Sequence, residues 1–179
     1  MDPRHADLLT DAVEEACAAV PRARRRTWID AVATGYEAAK RAAEQGGAAR
    51  RAGTWYTPSA VVDRVINAAG PVAGPGFRAC DPACGTGNFL VALGDRVRRA
   101  GGTPARIAAA VSGMDLDAMA VAIARVRMRT TFGGTAAAWC RAIRCGDSLQ
   151  AGAWDGQEFT LVIGNPPFLG QLASDTARS

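Results

Sequence analysis

Short apolar runs alternate with helical patterns between residues 77 and 165, and this alternation restricts the fold more than any other feature. Strands that alternate with helices form parallel sheets through right-handed crossover connections. The pattern predicts strands at 77–80, 107–114, 142–145 and 159–163, with helices at 59–69, 88–99 and 118–130. In the last helix, Met119, Ile123 and Val126 form the stripe expected to face the sheet. We therefore expect an α/β fold built on about four parallel strands.

A polar residue follows each predicted strand. These residues are Asp81, Asp115, Asp147 and Asn165. A single Asp in such a position commonly caps the next helix or forms a turn. In open parallel sheets, however, ligands bind at the carboxyl ends of the strands. Four polar residues at four strand ends therefore predict a binding site.

The residues before position 50 predict a helical segment ahead of the sheet. Helical periodicity covers 3–20 and 27–44, and Pro21 ends the first helix. The expected apolar faces are Leu8, Leu9, Ala12, Val13, Ala16 and Val20 in the first helix, and Trp28, Val32 and Tyr36 in the second. We interpret the intervening Arg22, Arg24, Arg25 and Arg26 as a solvated connector in preference to a phosphate contact. The predicted organisation is a helical segment at 1–50 and a sheet domain at 51–179.

Composition disfavours several classes of protein. The net charge is +4, the pI is about 9.1 and Lys40 is the only lysine, so arginine permits a polyanionic partner without requiring one. No run approaches the roughly 20 apolar residues of a membrane span, and the N-terminus lacks the apolar region of a secretory signal. We therefore expect a cytoplasmic protein with no membrane contact. Five cysteines and one histidine, without zinc-knuckle spacing, predict neither a disulfide framework nor a metal site.

A glycine-rich segment, Asp81-Pro-Ala-Cys-Gly-Thr-Gly-Asn-Phe89, joins the first predicted strand to its helix. Gly85 and Gly87 allow the backbone to approach a ligand closely and to adopt positive φ. Leu90 stands where a dinucleotide-binding loop has its third glycine, and the lysine of a phosphate-binding loop is missing. The helix N-terminus suits a carboxylate, and Asp81 suits an amine. The segment therefore predicts a ligand that carries both groups.

Two further acids extend the predicted ligand. Asp115 follows the second strand, where an acid can accept hydrogen bonds from the vicinal hydroxyls of a ribose. Asp147 follows the third strand and can accept from the exocyclic amine of an adenine. Together with the glycine-rich segment, these acids predict an adenosyl amino acid.

The segment Asn165-Pro166-Pro167-Phe168 follows the last predicted strand. Two consecutive prolines stiffen the backbone and restrict the residue before them. The segment therefore aims one amide side chain and one aromatic ring at the same small volume. An amide beside a stacking ring suits a planar group with an amino function, such as a nucleobase.

Five motifs in this order resemble those of the class I S-adenosylmethionine-dependent methyltransferases, specifically the N6-adenine DNA methylases of restriction-modification type. The motifs begin at Tyr56, Asp81, Gly113, Gly146 and Gly164, and their order resembles the arrangement called gamma. The resemblance covers about residues 54–170. It implies a Rossmann-like three-layer sandwich, of which this chain holds part. It also implies S-adenosylmethionine as the cofactor and double-stranded DNA, with the target adenine flipped out, as the partner.

The resemblance also implies a role for each motif residue. The cofactor would be held by Tyr56, Thr57, Pro58, Asp81, Ala83, Gly85, Gly87, Asp115, Leu116 and Asp147, although Leu116 equally suits a core position. The catalytic residues would be Asn165, Pro166 and Phe168. The Asn165 side-chain oxygen and the Pro166 carbonyl would accept from the target amine. The flipped base would be bound by Asn165, Pro167 and Phe168, with the Phe168 ring stacked on it.

The chain departs from the family pattern in its extent. It ends at Ser179, whereas the resemblance implies seven strands and a target-recognition domain. We therefore expect a fragment of a longer enzyme, a truncated product, or half of a split protein whose complementary chain supplies the missing strands. Alternative interpretations are a protein-glutamine or RNA N-methyltransferase, and an inactive remnant that acts as a partner-binding subunit. The glycine-rich segment disfavours a dinucleotide oxidoreductase.

Overall fold

The computed structural model describes residues 3–45, 57, 59–70 and 74–166. Four parallel strands form its sheet: β1 (Ala79–Asp81), β2 (Val111–Asp115), β3 (Ile143–Cys145) and β4 (Leu161–Val162), in the order β3-β2-β1-β4. In this register, Cys80 of β1 lies between Ser112 of β2 and Val162 of β4. The predicted fold class, an α/β protein with a partial Rossmann-like parallel sheet, is confirmed.

Seven helices and one short 3-10 turn surround this sheet within the described residues. The helices are α1 (Pro3–Ala18), α2 (Arg25–Gln45), α3 (Ser59–Ala68), α4 (Asn88–Arg99), α5 (Pro104–Ala110), α6 (Ala118–Phe132) and α7 (Ala136–Ala142), and the 3-10 turn spans Arg22–Arg24. The helix predicted at 88–99 is found with the same bounds, and the other predicted helices differ by a few residues at their ends. All four arginines of the predicted connector thus belong to the 3-10 turn or to the start of α2.

The strand predicted at 107–114 was wrong over its first half, where the chain forms α5. The Thr103 side chain caps this helix by accepting from Arg106 N at 3.2 Å, and Pro104 occupies the first turn. Ile107 and Ala110 are buried at helical spacing. Helix α7, which was not predicted, is also capped by a threonine and also buries one face. Thr135 caps it, and Trp139 is one of its buried residues.

Helix α6 is covered on two sides, which corrects the stripe predicted from its sequence. Val121, Ala124 and Met128 join the main core with the sheet. Ile123 and Val126 instead join a second cluster, with Cys17 of α1 and Ile29 of α2, and Met119 packs against it. The predicted Met119, Ile123 and Val126 stripe is therefore directed toward the N-terminal helices. The prediction failed because a helix packed on both sides has no single apolar face.

Helix α1 buries a face that overlaps only in part with the predicted one, because Leu9 and Val13 pack against the core clusters while other predicted residues do not. Leu8 is 68% exposed and Ala12 and Ala16 are exposed, whereas Ala6, Thr10 and Cys17 are buried. The reason is polar, because buried Arg125 of α6 reaches α1. Its Nη1 donates to Asp7 Oδ1 at 2.8 Å and to Thr10 Oγ1 at 3.2 Å, while its Nε donates to Ile143 O at 2.9 Å. One guanidinium thus joins α1, α6 and β3.

Candidate functional site

The sheet order creates a switch point beside β1. The chain steps from β1 to β2 and then β3 on one side, and β4 pairs with the other side of β1. In open parallel sheets, the crevice at such a reversal binds ligands outside the carboxyl ends of the strands. Asp81 ends β1, and Asn165 follows β4 by three residues. The two residues therefore flank this crevice.

The loop between β1 and α4 is attached to the end of β2. Cys84 N donates to Met114 O at 2.9 Å, and Gly85 N donates to Asp115 Oδ2 at 2.8 Å. Gly85 and Gly87 have φ of +51° and +89°, which explains the glycines in the motif. Gly87 is the N-cap of α4 and offers no side-chain cap to its first turn. The first turn of α4 therefore presents its positive dipole end without a capping side chain.

Asp81 lies at the centre of the site and is only 1% exposed. Its Oδ1 accepts from Ala83 N at 3.0 Å. Burial raises the pKa of Asp81 to about 7; the hydrogen bond from Ala83 opposes this rise, and the nearby Asp115 charge adds to it. A Cβ added at Gly164 would overlap the Asp81 carboxylate, with Cγ at 2.9 Å. The backbone directly before Asn165 therefore packs against Asp81.

Asp115 and Leu116 occupy the turn after β2. Both carboxylate oxygens of Asp115 accept backbone hydrogen bonds, Oδ2 from Gly85 N at 2.8 Å and Oδ1 from Asp117 N at 2.9 Å. Leu116 is 56% exposed, which excludes the core position left open by its sequence. An exposed leucine beside the crevice is available to a ligand. Cys145 Sγ contacts the Leu116 carbonyl oxygen at 3.7 Å, which places the end of β3 beside this turn.

The turn after β3 continues the same edge of the sheet. Gly146 N donates to Asp115 O at 2.9 Å, so the following Asp147 lies next to the turn after β2. Asp147 is exposed, and its Oδ1 accepts from Leu149 N at 2.9 Å. It also lines a cleft of about 560 Å³ with Arg144 and Cys140, but Asp81, Asp115 and Leu116 do not line this cleft. Asp147 is therefore accessible to a ligand from solvent.

Sequence reasoning missed a polar contribution from α2. Glu37 Oε1 accepts from Thr86 Oγ1 and from Asn88 Nδ2, the latter at 3.4 Å. Tyr36 donates to the Asp117 carboxylate at 2.8 Å, and Lys40 pairs with the same carboxylate. Asp30 and Glu37 are seven residues apart and lie along one side of the helix, but a charged stripe of this kind is usually solvated. No stronger signal in the sequence marked these residues.

Three of the four polar residues that follow the strands thus lie along one edge of the sheet: Asp81, Asp115 and Asp147. Gly164 packs against Asp81. Asn165 is half-buried, Pro166 is exposed and Thr57 is half-buried. Tyr56, Pro58, Pro167 and Phe168 were predicted to belong to the site but lie outside the described residues.

The described part of the chain lacks two further features. None of the helices found there is both long and apolar enough to cross a bilayer. Across residues 3–45, 57, 59–70 and 74–166, no group of three or more His, Cys, Asp or Glu side chains is placed to share a metal ion.

Comparison with known proteins identifies the family of the chain. A search of curated individual proteins gives no match. Among protein families, the one described as N-6 DNA Methylase matches residues 29–179, a range that includes all four strands and the Asn165 segment. Membership of this family supports a methyltransferase activity. Because the match covers most of the sequence, the chain belongs to the N-6 DNA methylase family.

Proposed function

We propose that the chain carries the cofactor-binding and amine-binding parts of an enzyme that methylates the N6 amine of adenine in DNA. The observation that carries this proposal is the packing of Gly164 against Asp81. It puts the Asn165 segment beside the acid of the glycine-rich loop, at the switch point of a parallel sheet. A donor held at the loop and an amine held at Asn165 would then be neighbours.

The described residues fit S-adenosylmethionine as the cofactor. Asp81 is a buried carboxyl with a raised pKa, and an adjacent ammonium would stabilise its ionised form. The first turn of α4, capped by Gly87, suits a carboxylate. Exposed Leu116 would cover one face of an adenine, while Asp115 and Asp147 would accept from the ribose hydroxyls and the adenine amine. Tyr56, Thr57, Pro58 and Ala83 complete the proposed set.

When bound, S-adenosylmethionine supplies an electrophilic methyl group on a sulfonium. The chain's own task is to prepare the target amine, whose lone pair is delocalised into the adenine ring. The Asn165 side-chain oxygen and the Pro166 carbonyl would each accept one N–H, which favours a pyramidal nitrogen with its lone pair free for attack. Phe168, next to Pro167, would stack on the flipped base and offset about 1–3 kcal/mol of the cost of unstacking it.

This arrangement works by positioning and needs no strong base before transfer. Holding two reactants in line converts a bimolecular step into an effectively unimolecular one. The described residues contain a single histidine, His5, which lies on α1 and is exposed. The stiff Asn-Pro-Pro backbone would hold the amine acceptors in place.

Methyl transfer from S-adenosylmethionine labelled on its methyl group tests the proposal. We expect the label on N6 of deoxyadenosine after incubation with double-stranded DNA, and its loss in Asn165→Ala with cofactor affinity retained. Asn67→Ala, an asparagine on α3, is the matched control. Label on RNA or on protein glutamine would favour those alternative substrates. A fully active Asn165→Ala variant would contradict the proposed role of the amide.

The longer protein context is a further part of the proposal. The gamma order of motifs, a restriction-modification role and a complementary chain that supplies more strands remain predictions from the sequence. The complementary chain is tested by adding other N-6 DNA methylase chains from the same cells to the assay. Label incorporation should then rise.

A further inference from the structure

Helix α2 contacts both loops that line the site. Near its middle, Glu37 accepts hydrogen bonds from Thr86 and Asn88 of the β1–α4 connection. On the same helix, Tyr36 and Lys40 bind Asp117, the N-cap of α6, in the β2–α6 connection. Hydrogen bonds from Lys40 and Tyr36 lower the pKa of Asp117 even though its burial acts in the opposite direction. One helix therefore holds two loops that belong to different crossovers.

Arg127 of α6 closes the network around the first loop. Its Nη1 donates to Asn88 Oδ1 at 2.7 Å and to Thr86 O at 3.3 Å. Its Nε pairs with Asp30 of α2 at 2.7 Å. Thr86 and Asn88 are consequently held from α2 and from α6 at once. Their side chains are engaged by protein groups, which leaves the backbone of the loop to face a ligand.

The loop needs such support because of its glycines. Thr86 stands between Gly85 and Gly87, both at positive φ, and glycine loses more conformational freedom on ordering than any other residue. The Thr86 side chain is 1% exposed and is the only one between them. Its bond to Glu37 therefore joins α2 to the residue between the two flexible positions, in addition to the bond that Gly85 N donates to Asp115.

Burying a glutamate at position 37 would be energetically unfavourable if its side chain served only for packing. Burial raises the pKa of the Glu37 carboxyl above its ordinary value, against the hydrogen bond from Thr86 and the charge of Arg127. Its second oxygen, Oε2, is buried without a hydrogen-bond partner among the described residues. Burying an unsatisfied carboxylate oxygen costs free energy that an apolar side chain would not. This cost indicates that the carboxyl is retained for the bonds that it accepts from the loop.

We propose that Glu37 is a positioning residue that holds the 84–88 loop in its ligand-accepting conformation, and that α2 is thereby part of the cofactor site. The effect on the loop stands on the contacts above. Its consequence for S-adenosylmethionine rests on the proposed function. Tyr36 and Lys40 provide the second attachment of α2, through Asp117.

Three variants separate positioning from general loosening of α2. Glu37→Leu removes the acceptor, and Glu37→Gln keeps an oxygen that can accept from Thr86. Ile29→Val is the matched control. Ile29 is fully buried in the cluster under α2, and its apolar side chain makes no hydrogen bond to the loop. The readouts are the dissociation constant of S-adenosylmethionine by calorimetry and hydrogen exchange at the amides of Cys84, Gly85 and Gly87.

In Glu37→Leu, we expect cofactor affinity to fall by about tenfold and exchange at the three amides to accelerate by a similar factor, as for one lost hydrogen bond. Glu37→Gln should stay within about threefold of the native chain, because a neutral acceptor keeps about half the free energy of a charged hydrogen bond. Ile29→Val should lower stability to urea without changing either loop readout. Equal loop effects in Glu37→Leu and Ile29→Val would overturn the proposal.

Two further outcomes are decisive. If the native chain binds no S-adenosylmethionine, the proposed function fails, and exchange at the loop alone decides the positioning role; unchanged exchange in Glu37→Leu then refutes it. If Glu37→Leu does not fold, Thr86→Val removes the same hydrogen bond from the other side and is read in its place. Loop exchange that remains native in Thr86→Val would also refute the role of Glu37.

Discussion

The buried carboxyl of Asp81 makes stability depend on pH in a direction opposite to that of most acidic residues. Asparagine at this position keeps the shape of the side chain and an oxygen that can accept from Ala83 N, but it cannot ionise. Asp81→Asn should therefore stabilise the fold at neutral and alkaline pH. A stabilising substitution at a site residue is expected where function requires a strained or buried charge.

The size of the effect follows from the difference in proton affinity between the folded and unfolded states. Burial raises the pKa of Asp81 from 3.8 to about 7, a change of roughly three pH units. Each unit corresponds to 1.36 kcal/mol, which gives about 4 kcal/mol in total. Between these two pKa values, the unfolded chain has lost the proton that the folded chain keeps. The native fold therefore loses stability as pH rises from about 4 to about 7 and then levels off.

Urea unfolding of the native chain and of Asp81→Asn, measured across this range, checks the prediction. The difference in free energy of unfolding should be small at about pH 4 and should approach 4 kcal/mol above about pH 7. Taking the difference cancels the titrating groups that do not interact with Asp81, whereas Asp115, whose charge contributes to the pKa of Asp81, does not cancel fully. A difference that does not change with pH would refute the reasoning, because it would mean that Asp81 ionises equally easily in both states.

The same carboxyl gives a linked prediction for the proposed cofactor. An ammonium group beside Asp81 would favour its ionised form, so binding below about pH 7 would have to release a proton. Affinity for S-adenosylmethionine should then rise with pH up to about 7, and calorimetry in buffers of different ionisation enthalpy would detect the proton. An affinity that falls over this range would contradict the contact between Asp81 and the ammonium.

Four other substitutions test separate parts of the structure. Arg125→Met leaves the buried Ile143 carbonyl without its donor and should cost about 2–3 kcal/mol by urea unfolding, whereas Asp7→Asn, at a 60% exposed side chain, should cost less than about 1 kcal/mol. Leu116→Ala should change stability by less than about 0.5 kcal/mol while weakening S-adenosylmethionine binding several-fold in calorimetry; a large loss of stability would return Leu116 to the core. Gly113→Ala puts a Cβ 2.8 Å from Leu90 Cδ1 and should cost about 1–3 kcal/mol by thermal unfolding.

The parts of the fold that follow from local chemistry were predicted well. Helix α4 was placed with its observed bounds because Gly87 precedes it, an apolar stripe runs through it, and Gly101 and Gly102 follow it. The sequence placed Asp81, Asp115 and Asp147 at strand ends because each follows a predicted strand. They were expected at one edge because the carboxyl ends of parallel strands lie together. The roles proposed for them as ligand-binding groups remain predictions.

The parts that failed depend on contacts between distant segments. The run 107–114 combines the end of α5 with β2, and its uniform apolar character hides the point where the helix becomes a strand. The face of α1 was partly misassigned because Arg125 bonds to Thr10 and holds it inward. The face of α6 was misassigned because this helix packs on the sheet and on the N-terminal helices at once. The contribution of Glu37 was missed because its partners, Thr86 and Asn88, lie about fifty residues further along the chain. No local pattern can reveal such a pairing.

The double covering of α6 has a consequence for the order in which the molecule opens. Ten of its fifteen residues are buried, so releasing this helix requires separation from the sheet on one side and from α1 and α2 on the other. Partial openings that leave one layer attached do not free it, and its amides should exchange only through near-global unfolding. Asp117 at its start belongs to the β2–α6 connection, and Arg127 within it bonds to Asn88 of the β1–α4 connection. Both connections line the proposed site. The part of the proposed site that the structure describes is therefore attached to α6, which should open only with the whole domain. This part should keep its geometry until the domain unfolds.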